Sequence, residues 1–277
     1  MFGAIVGDIV GSVYEWHNIK TKTFPLFRDD CFFTDDTVMT VAVAEAMMNG
    51  GQPDDFIDAM KKFGKLYPDA GYGGGFKKWL ASGTREPYNS WGNGSAMRVS
   101  PVGFFPNLRA AGGYIDLTAL GASIYCWSTR SAEVTHNHPE GIKGAQAVAD
   151  SIMYMRFGRE VDGDVDERRA SLKDFIEEKY GYDLSCTLDE IRPTYHFNES
   201  CQDTVPQAIR AFIESVDFED AIRNAISLGG DSDTLAAITG GIAEAAYGVP
   251  KWIKDKAWSY LDEPLKDVCR RFRKAVR

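Results

Sequence analysis

The sequence predicts an all-α protein, and two observations support this prediction. Most segments repeat apolar residues at three- and four-residue spacing, the period of a helix that buries one face. Strand patterns are few and do not alternate with the helical segments, so a parallel sheet built from strand–helix units is not expected. Hydrophobic residues make up 44% of the chain and charged residues 26%, as in ordinary globular proteins. We expect one domain over residues 1–277.

Nine segments carry the pattern of a helix. The first, residues 38–48, is an almost wholly apolar run that Asn49-Gly50-Gly51 would end. Pro53 begins the second, which continues to about residue 67 with apolar side chains at helical spacing. The other predicted helices are residues 117–128, 139–155, 172–180, 205–216, 218–228, 235–247 and 251–276.

The remaining segments predict loops and one short strand. Residues 14–36 and 71–100 are the most loop-rich parts of the chain. The charged segment 156–169 is expected to be an exposed turn. The best strand candidate, residues 99–105, is short and contains Pro101 and Gly103.

Charge and cysteine content narrow the functional class. The net charge of −9 argues against broad, non-specific binding to nucleic acid or an anionic membrane. The five cysteines are odd in number and form no CxxC pair, which is typical of reduced thiols rather than a disulfide framework. The first residues lack a basic segment, and no run approaches the roughly 18 apolar residues of a membrane span. We therefore expect a soluble, cytoplasmic protein.

Two acidic clusters stand directly before apolar helical segments. Residues 33–40 read FTDDTVMT, and residues 229–241 read GGDSDTLAAITGG. Their oxygen-bearing side chains are Thr34, Asp35, Asp36, Thr37, Asp231, Ser232, Asp233 and Thr234. Capping accounts for about one such side chain per helix, and for either cluster alone it is the preferred interpretation. Adjacent acids next to an apolar helix cost repulsion and desolvation, which a bound cation would remove.

The ligand types indicate which metal would bind. Neither cluster contains His or Cys, and hard oxygen ligands favour Mg²⁺, Mn²⁺ or Ca²⁺ over Zn²⁺. The candidate side chains outnumber those that one Mg²⁺ usually takes from a protein. Two ions that share a bridging carboxylate would use them better.

Two glycine-rich segments and one histidine suggest an anionic ligand. Residues 72–76 read YGGGF, and residues 91–101 read WGNGSAMRVSP. Glycines let backbone N–H groups approach a phosphate, and a helix that starts after Ser95 would add its dipole, although most such loops are simply turns. Arg98 would pair with a phosphate or form a structural salt bridge. His136 lies in THNHPEGIKGA, and for a lone histidine a surface or satisfied core role is the preferred interpretation.

Together these segments resemble the ADP-ribosylglycohydrolase family, which includes the dinitrogenase reductase-activating glycohydrolases and the ADP-ribosylarginine hydrolases. Five segments carry the match in the family's order: GAIVGDIVGSVYE, FTDDTVMT, WGNGSAMRVSP, THNHPEGIKGA and GGDSDTLAAITGGIAEA. The resemblance implies a single all-α orthogonal helix bundle with a cleft that holds two metal ions, Mg²⁺ or Mn²⁺.

The resemblance also implies site residues. The expected metal ligands are Thr34, Asp35 and Asp36 for one ion and Asp231, Asp233 and Thr234 for the other, with Asp233 as the bridge. Gly92, Asn93, Gly94 and Ser95 match the loop that holds the diphosphate, and His136 a histidine near the ribose and phosphate groups. Glu15 matches an acidic residue on a flap after the first helix. Glu15, or one of Asp35 and Asp36, would accept or donate a proton. Tyr125 or Trp127 would stack on adenine or pack in the core.

The implied activity is hydrolysis of the glycosidic bond between ADP-ribose and its acceptor, with ADP-ribosylarginine on protein as the default. Two alternatives are a binuclear-metal phosphoesterase acting on a nucleotide and a non-catalytic ADP-ribose-binding relative. Arginine, serine, nucleic acid and O-acetyl-ADP-ribose all stay open as acceptors. We expect no membrane partner and a monomer.

Overall fold

The computed structural model describes residues 1–105, 117–157 and 164–276, and only the backbone of Leu117. These ranges contain fifteen α-helices and no β-strand, which confirms the all-α prediction. The helices are α1 Phe2–Gly11, α2 Asp35–Asn49, α3 Pro53–Leu66, α4 Gly74–Ala81, α5 Gly94–Met97, α6 Ser100–Phe104, α7 Leu117–Glu133, α8 Pro139–Phe157, α9 Val165–Tyr180, α10 Leu188–Ile191, α11 Cys201–Ile213, α12 Phe218–Ser227, α13 Ser232–Tyr247, α14 Lys251–Tyr260 and α15 Glu263–Ala275. Among them we find none with the length and apolar character that crossing a membrane requires. The five cysteines are free thiols, as expected.

Helices α1 and α13 pack against each other at the centre of the molecule. Gly3, Gly7 and Gly11 follow at four-residue spacing and therefore share one face of α1. A Cβ atom at Gly7 would lie 2.0 Å from the carbonyl oxygen of Ala236, and one at Gly3 would lie 2.1 Å from that of Gly240. The two backbones are thus in direct contact, which only glycine permits. Every residue of α1 is buried.

The predicted helix 251–276 is wrong in one respect, because it is two helices. Helix α14 ends at Tyr260 and α15 begins at Glu263. The side chain of Asp262 accepts a hydrogen bond from the backbone N–H of Leu265, and Pro264 occupies the first turn of α15. An N-cap followed by proline is a helix start, and this local signal outweighed the continuous apolar period.

Three loop or strand predictions also need correction. Residues 99–105 contain helix α6 instead of a strand, and Gly103 packs closely on α8, since a Cβ there would lie 2.6 Å from Ile152. The loop-rich segment 71–100 contains α4. Helix α9 begins at Val165, where Asp164 caps it, so the charged turn 156–169 is wrong for residues 165–169. Of that segment, residues 158–163 lie outside the described residues.

The predicted loop between α1 and α2 is present and is attached to the body of the protein by side chains. Asn18 donates hydrogen bonds to the carbonyl oxygens of Glu15 and Gly230 and accepts one from the N–H of Gly230. The ammonium group of Lys20 donates to the carbonyl oxygen of Leu228, 2.5 Å away. These bonds fix the loop beside the start of α13.

We expect the substitution Gly7→Ala to lower the free energy of unfolding by about 3 kcal/mol, because its Cβ would overlap the backbone of α13. Gly121→Ala on α7 is the matched control, since a Cβ there meets nothing within 4 Å. That change is expected to be neutral or to stabilise by about 0.5–1 kcal/mol. Urea unfolding of both variants measures the difference, and equal stabilities would contradict the close approach of α1 and α13.

Candidate metal centre

Five acidic side chains meet at the N-terminal end of α13. Asp8 lies in α1, Glu15 in the following loop, Asp36 in the first turn of α2, and Asp231 and Asp233 at the start of α13. Among the described residues they form two carboxylate triads, in which the ligand oxygens lie within 4.8 Å of one another. The triads are Asp8, Asp36, Asp233 and Glu15, Asp231, Asp233. Asp233 belongs to both.

Asp8 is a site residue that the sequence analysis missed. Its carboxylate accepts hydrogen bonds from the backbone N–H groups of Thr34 and Thr37, each at 3.0 Å, and from the Thr34 hydroxyl at 2.7 Å. It therefore caps α2 from another helix. The available signal was an acid inside a wholly apolar segment, because a buried carboxyl group needs partners.

The two threonines of the expected ligand set also contact these acids. The Thr34 hydroxyl donates to Asp8 and accepts from the N–H of Asp36 at 3.3 Å. The Thr234 hydroxyl donates to Oδ2 of Asp36 at 3.2 Å. The other oxygen of Asp36 is buried and has no hydrogen-bond partner among the described residues. This oxygen is free to bind a cation.

Asp35 belongs to neither triad, although it is close enough for the charges of Asp8 and Asp231 to act on it. It lines the cleft, and its backbone N–H donates to the carbonyl oxygen of Ala70 at 2.7 Å. Successive residues of a helix point in different directions, so the Asp36 side chain reaches the triad while the Asp35 side chain lines the cleft beside it.

The electrostatics of the triads favour a positively charged ligand. Burial raises the pKa of Asp36 and Asp233 well above the ordinary value, and neighbouring carboxyl groups raise it further. The same two causes raise the pKa of Glu15 to about 7 and that of Asp35 to about 8. Hard oxygen donors that are buried together, without a cationic residue in either triad, suit a divalent cation.

The expected phosphate loop divides its side chains between the cleft and the interior. Gly92, Asn93 and Gly94 line the cleft. The Asn93 amide donates to Oδ2 of Asp231 at 2.7 Å, which connects this loop to the second triad. Ser95 is buried, and its hydroxyl donates to the carbonyl oxygen of Gly141 at 2.6 Å, so it is not brought to the cleft.

His136 and Arg98 lie behind the glycines of this loop. Nε2 of His136 lies 3.1 Å from where a Cβ of Gly94 would be, so a larger residue there would press on the ring. Burial, followed by the charge of Arg98, lowers the pKa of His136 well below its ordinary value, so the imidazole is neutral. Arg98 is buried and donates to the carbonyl oxygen of Ser131 and the hydroxyl of Thr135. In the described chain its Nε has no hydrogen-bond partner.

One cleft of about 390 Å³ has four of the triad acids in its floor, namely Glu15, Asp36, Asp231 and Asp233, whereas Asp8 does not line it. The segment Gly92–Gly94 with His136 and Arg98 forms one wall. Tyr125 and Trp127 do not line it; Trp127 packs edge-on against Phe105.

Comparison with known proteins gives a consistent result. A family model described as ADP-ribosylglycohydrolase matches residues 1–276. The ADP-ribosylhydrolase ARH3 of Homo sapiens is 26% identical over 317 residues, which cover 89% of this chain and 84% of that protein. The ADP-ribosylarginine hydrolase Tri1 of Pseudomonas putida is 26% identical over 292 residues, with 94% and 73% covered.

A solved structure supports the fold. It belongs to an ADP-ribosylglycohydrolase-related protein complex and aligns with a TM-score of 0.66 at 21% identity, covering all of this chain and 97% of its own. At that identity the likeness concerns the fold alone. The family match, by contrast, spans nearly the whole chain and includes all five acidic side chains of the centre. The chain belongs to the ADP-ribosylglycohydrolase family of enzymes.

Proposed function

We propose that the protein is a metal-dependent hydrolase that cleaves the glycosidic bond between ADP-ribose and an acceptor, with arginine on a protein as the first acceptor to test. The observation that carries this proposal is the pair of carboxylate triads that share Asp233 at the floor of the cleft. The arginine acceptor is suggested by the similarity to the ADP-ribosylarginine hydrolase Tri1.

The residues that would hold two divalent cations are the triads together with the two threonines. Asp8, Asp36 and Asp233 would serve one ion and Glu15, Asp231 and Asp233 the other, with Thr34 and Thr234 beside them. This set adds Asp8 and Glu15 to the expected ligands and leaves Asp35 on the cleft wall. When bound, Mg²⁺ or Mn²⁺ would supply Lewis-acid stabilisation of negative charge and activation of water.

Glu15 is our candidate for proton transfer. Hydrolysis of a glycosidic bond needs an acid for the leaving group and a base for water. Glu15 is only partly buried and lines the cleft, so a leaving group and a water molecule can both reach its carboxyl group. Asp35 and Asp36 are the alternatives.

The wall that Gly92, Gly94 and Arg98 form suits the diphosphate of ADP-ribose. Gly92 and Gly94 have no side chains to block the approach of phosphate oxygens to the backbone. Arg98 supplies a positive charge in the same wall and, within the described residues, forms no salt bridge. Burial lowers its pKa only to about 10, so it stays charged at neutral pH.

We expect the protein to release free ADP-ribose from an ADP-ribosylarginine protein in Mg²⁺ or Mn²⁺ but not in chelator. Chromatography of the products provides the measurement. Release of AMP or inorganic phosphate instead would support the phosphoesterase alternative. Tight binding of ADP-ribose without turnover of any linkage would support the non-catalytic alternative.

Substitutions in the triads should stop the reaction. We expect Asp233→Asn and Asp8→Asn each to lower kcat by at least about a hundredfold, because each removes a charged ligand from the centre. The exposed Asp174→Asn on α9 is the matched control and should keep full activity. Calorimetric titration with Mn²⁺ should show weaker binding only in the triad variants. Full activity of Asp233→Asn in chelator would refute the metal mechanism.

Divalent cations should stabilise the protein more at pH 8 than at pH 5.5. The folded pKa values of Glu15 and Asp35, about 7 and about 8, lie above those of the unfolded chain, at about 4. Between the unfolded pKa of about 4 and these folded pKa values, the metal-free folded protein therefore binds more protons than the unfolded chain. Its free energy of unfolding falls as the pH rises through this range. Cations replace these protons, so we expect the rise in Tm with Mg²⁺ to grow with pH. An equal rise at both pH values would contradict this assignment.

A further inference from the structure

Two exposed aromatic rings lie at the mouth of the cleft. Trp16 follows Glu15 in the loop after α1, and Phe197 lies in the loop between α10 and α11. Their ring centroids are 5.3 Å apart with an interplanar angle of 21°, so the rings stack. Both line the cleft, yet Trp16 is 72% exposed and Phe197 39% exposed. A stacked pair this exposed leaves ring faces free for a ligand.

Acidic side chains surround this aromatic pair. Glu15 precedes Trp16, and the exposed Glu199 lies two residues after Phe197; both acids line the same cleft. An electron-rich ring face beside two carboxylates attracts a planar cation and repels a phosphate.

The loops that carry the pair are attached to the protein body. Asn18 joins the backbone at Glu15 to Gly230, as described above. On the other side, Asn198 donates to the carboxylate of Asp203 at 2.8 Å, and the carbonyl oxygen of Glu199 accepts from the N–H of Asn93 at 2.7 Å. The rings are therefore positioned before a ligand arrives, which lowers the entropy cost of binding.

We propose that Trp16 and Phe197 form an acceptor platform that binds the guanidinium group of an ADP-ribosylated arginine, with the exposed Glu199 supplying the opposite charge. This inference rests on the proposed function and names its acceptor. The platform adjoins Glu15, our candidate for proton transfer at the bond to be cleaved, so it lies on the acceptor side. A serine or acetyl acceptor is neutral and would gain nothing from the acids.

The test compares three ligands by calorimetry in chelator, where the proposed reaction stops: an ADP-ribosylated arginine peptide, the matching serine peptide and free ADP-ribose. We expect Trp16→Ala, Phe197→Ala and Glu199→Gln each to weaken binding of the arginine peptide by about tenfold. Binding of the other two ligands should change less than about twofold. Trp16→Phe keeps a ring while removing the indole N–H, and should retain most of the affinity for the arginine peptide.

Trp252→Ala is the matched control, because Trp252 is 55% exposed on α14 and does not line the cleft. Equal losses of affinity for all three ligands would show that the rings bind the nucleotide instead of the arginine. No loss of affinity for the arginine peptide would show that the rings bind neither the arginine nor the nucleotide. Either result overturns the platform. Preferential binding of the arginine peptide that depends on Trp16 and Phe197, without ADP-ribose release from either peptide after Mg²⁺ is added, would uphold the platform and reject the proposed reaction.

Discussion

The candidate centre depends on the direct backbone contact between α1 and α13. Asp8 lies on α1 and Asp233 on α13, and their carboxylates share a triad only because the glycine face of α1 lets the helices touch. A Cβ at Gly11 would lie 2.5 Å from Cα of Asp233 itself, so the contact extends to the acid that both triads share. The glycine face of α1 therefore lets α1 and α13 pack together and sets the distance between Asp8 and Asp233.

A second constraint is that the centre is electrostatically unfavourable without a cation. The starts of α2 and α13 both point their acids into it, and the positive ends of these helix dipoles offset part of the repulsion. The hydrogen bonds that Asp8 accepts from residues of α2 and its cap offset another part. The pKa of each triad member is nevertheless raised. A protein gains no stability from such an arrangement, which argues for a ligand-binding role.

The cleft combines three environments of different charge. Its floor is acidic, the wall of Gly92 and Gly94 is backed by the positive charge of Arg98, and the mouth near Glu199 carries aromatic rings. An elongated ligand with an anionic middle and a cationic end would match the wall and the mouth in turn. Asn93 connects the regions, since its backbone bonds to Glu199 and its amide to Asp231.

The sequence alone determined the all-α class, most helices with one apolar face, and the two acidic clusters, because periodicity and capping are local properties. It did not identify α1 from its pattern, because Gly3, Gly7 and Gly11 weaken the local helix signal and no polar face gives the segment a period. Only the tertiary structure decided that Asp8 forms a triad with Asp36 and Asp233 and that Asp35 belongs to neither triad. It also decided that the Ser95 side chain points into the protein interior and not into the cleft. These outcomes depend on contacts between residues far apart in the chain, and such contacts leave no trace in local spacing.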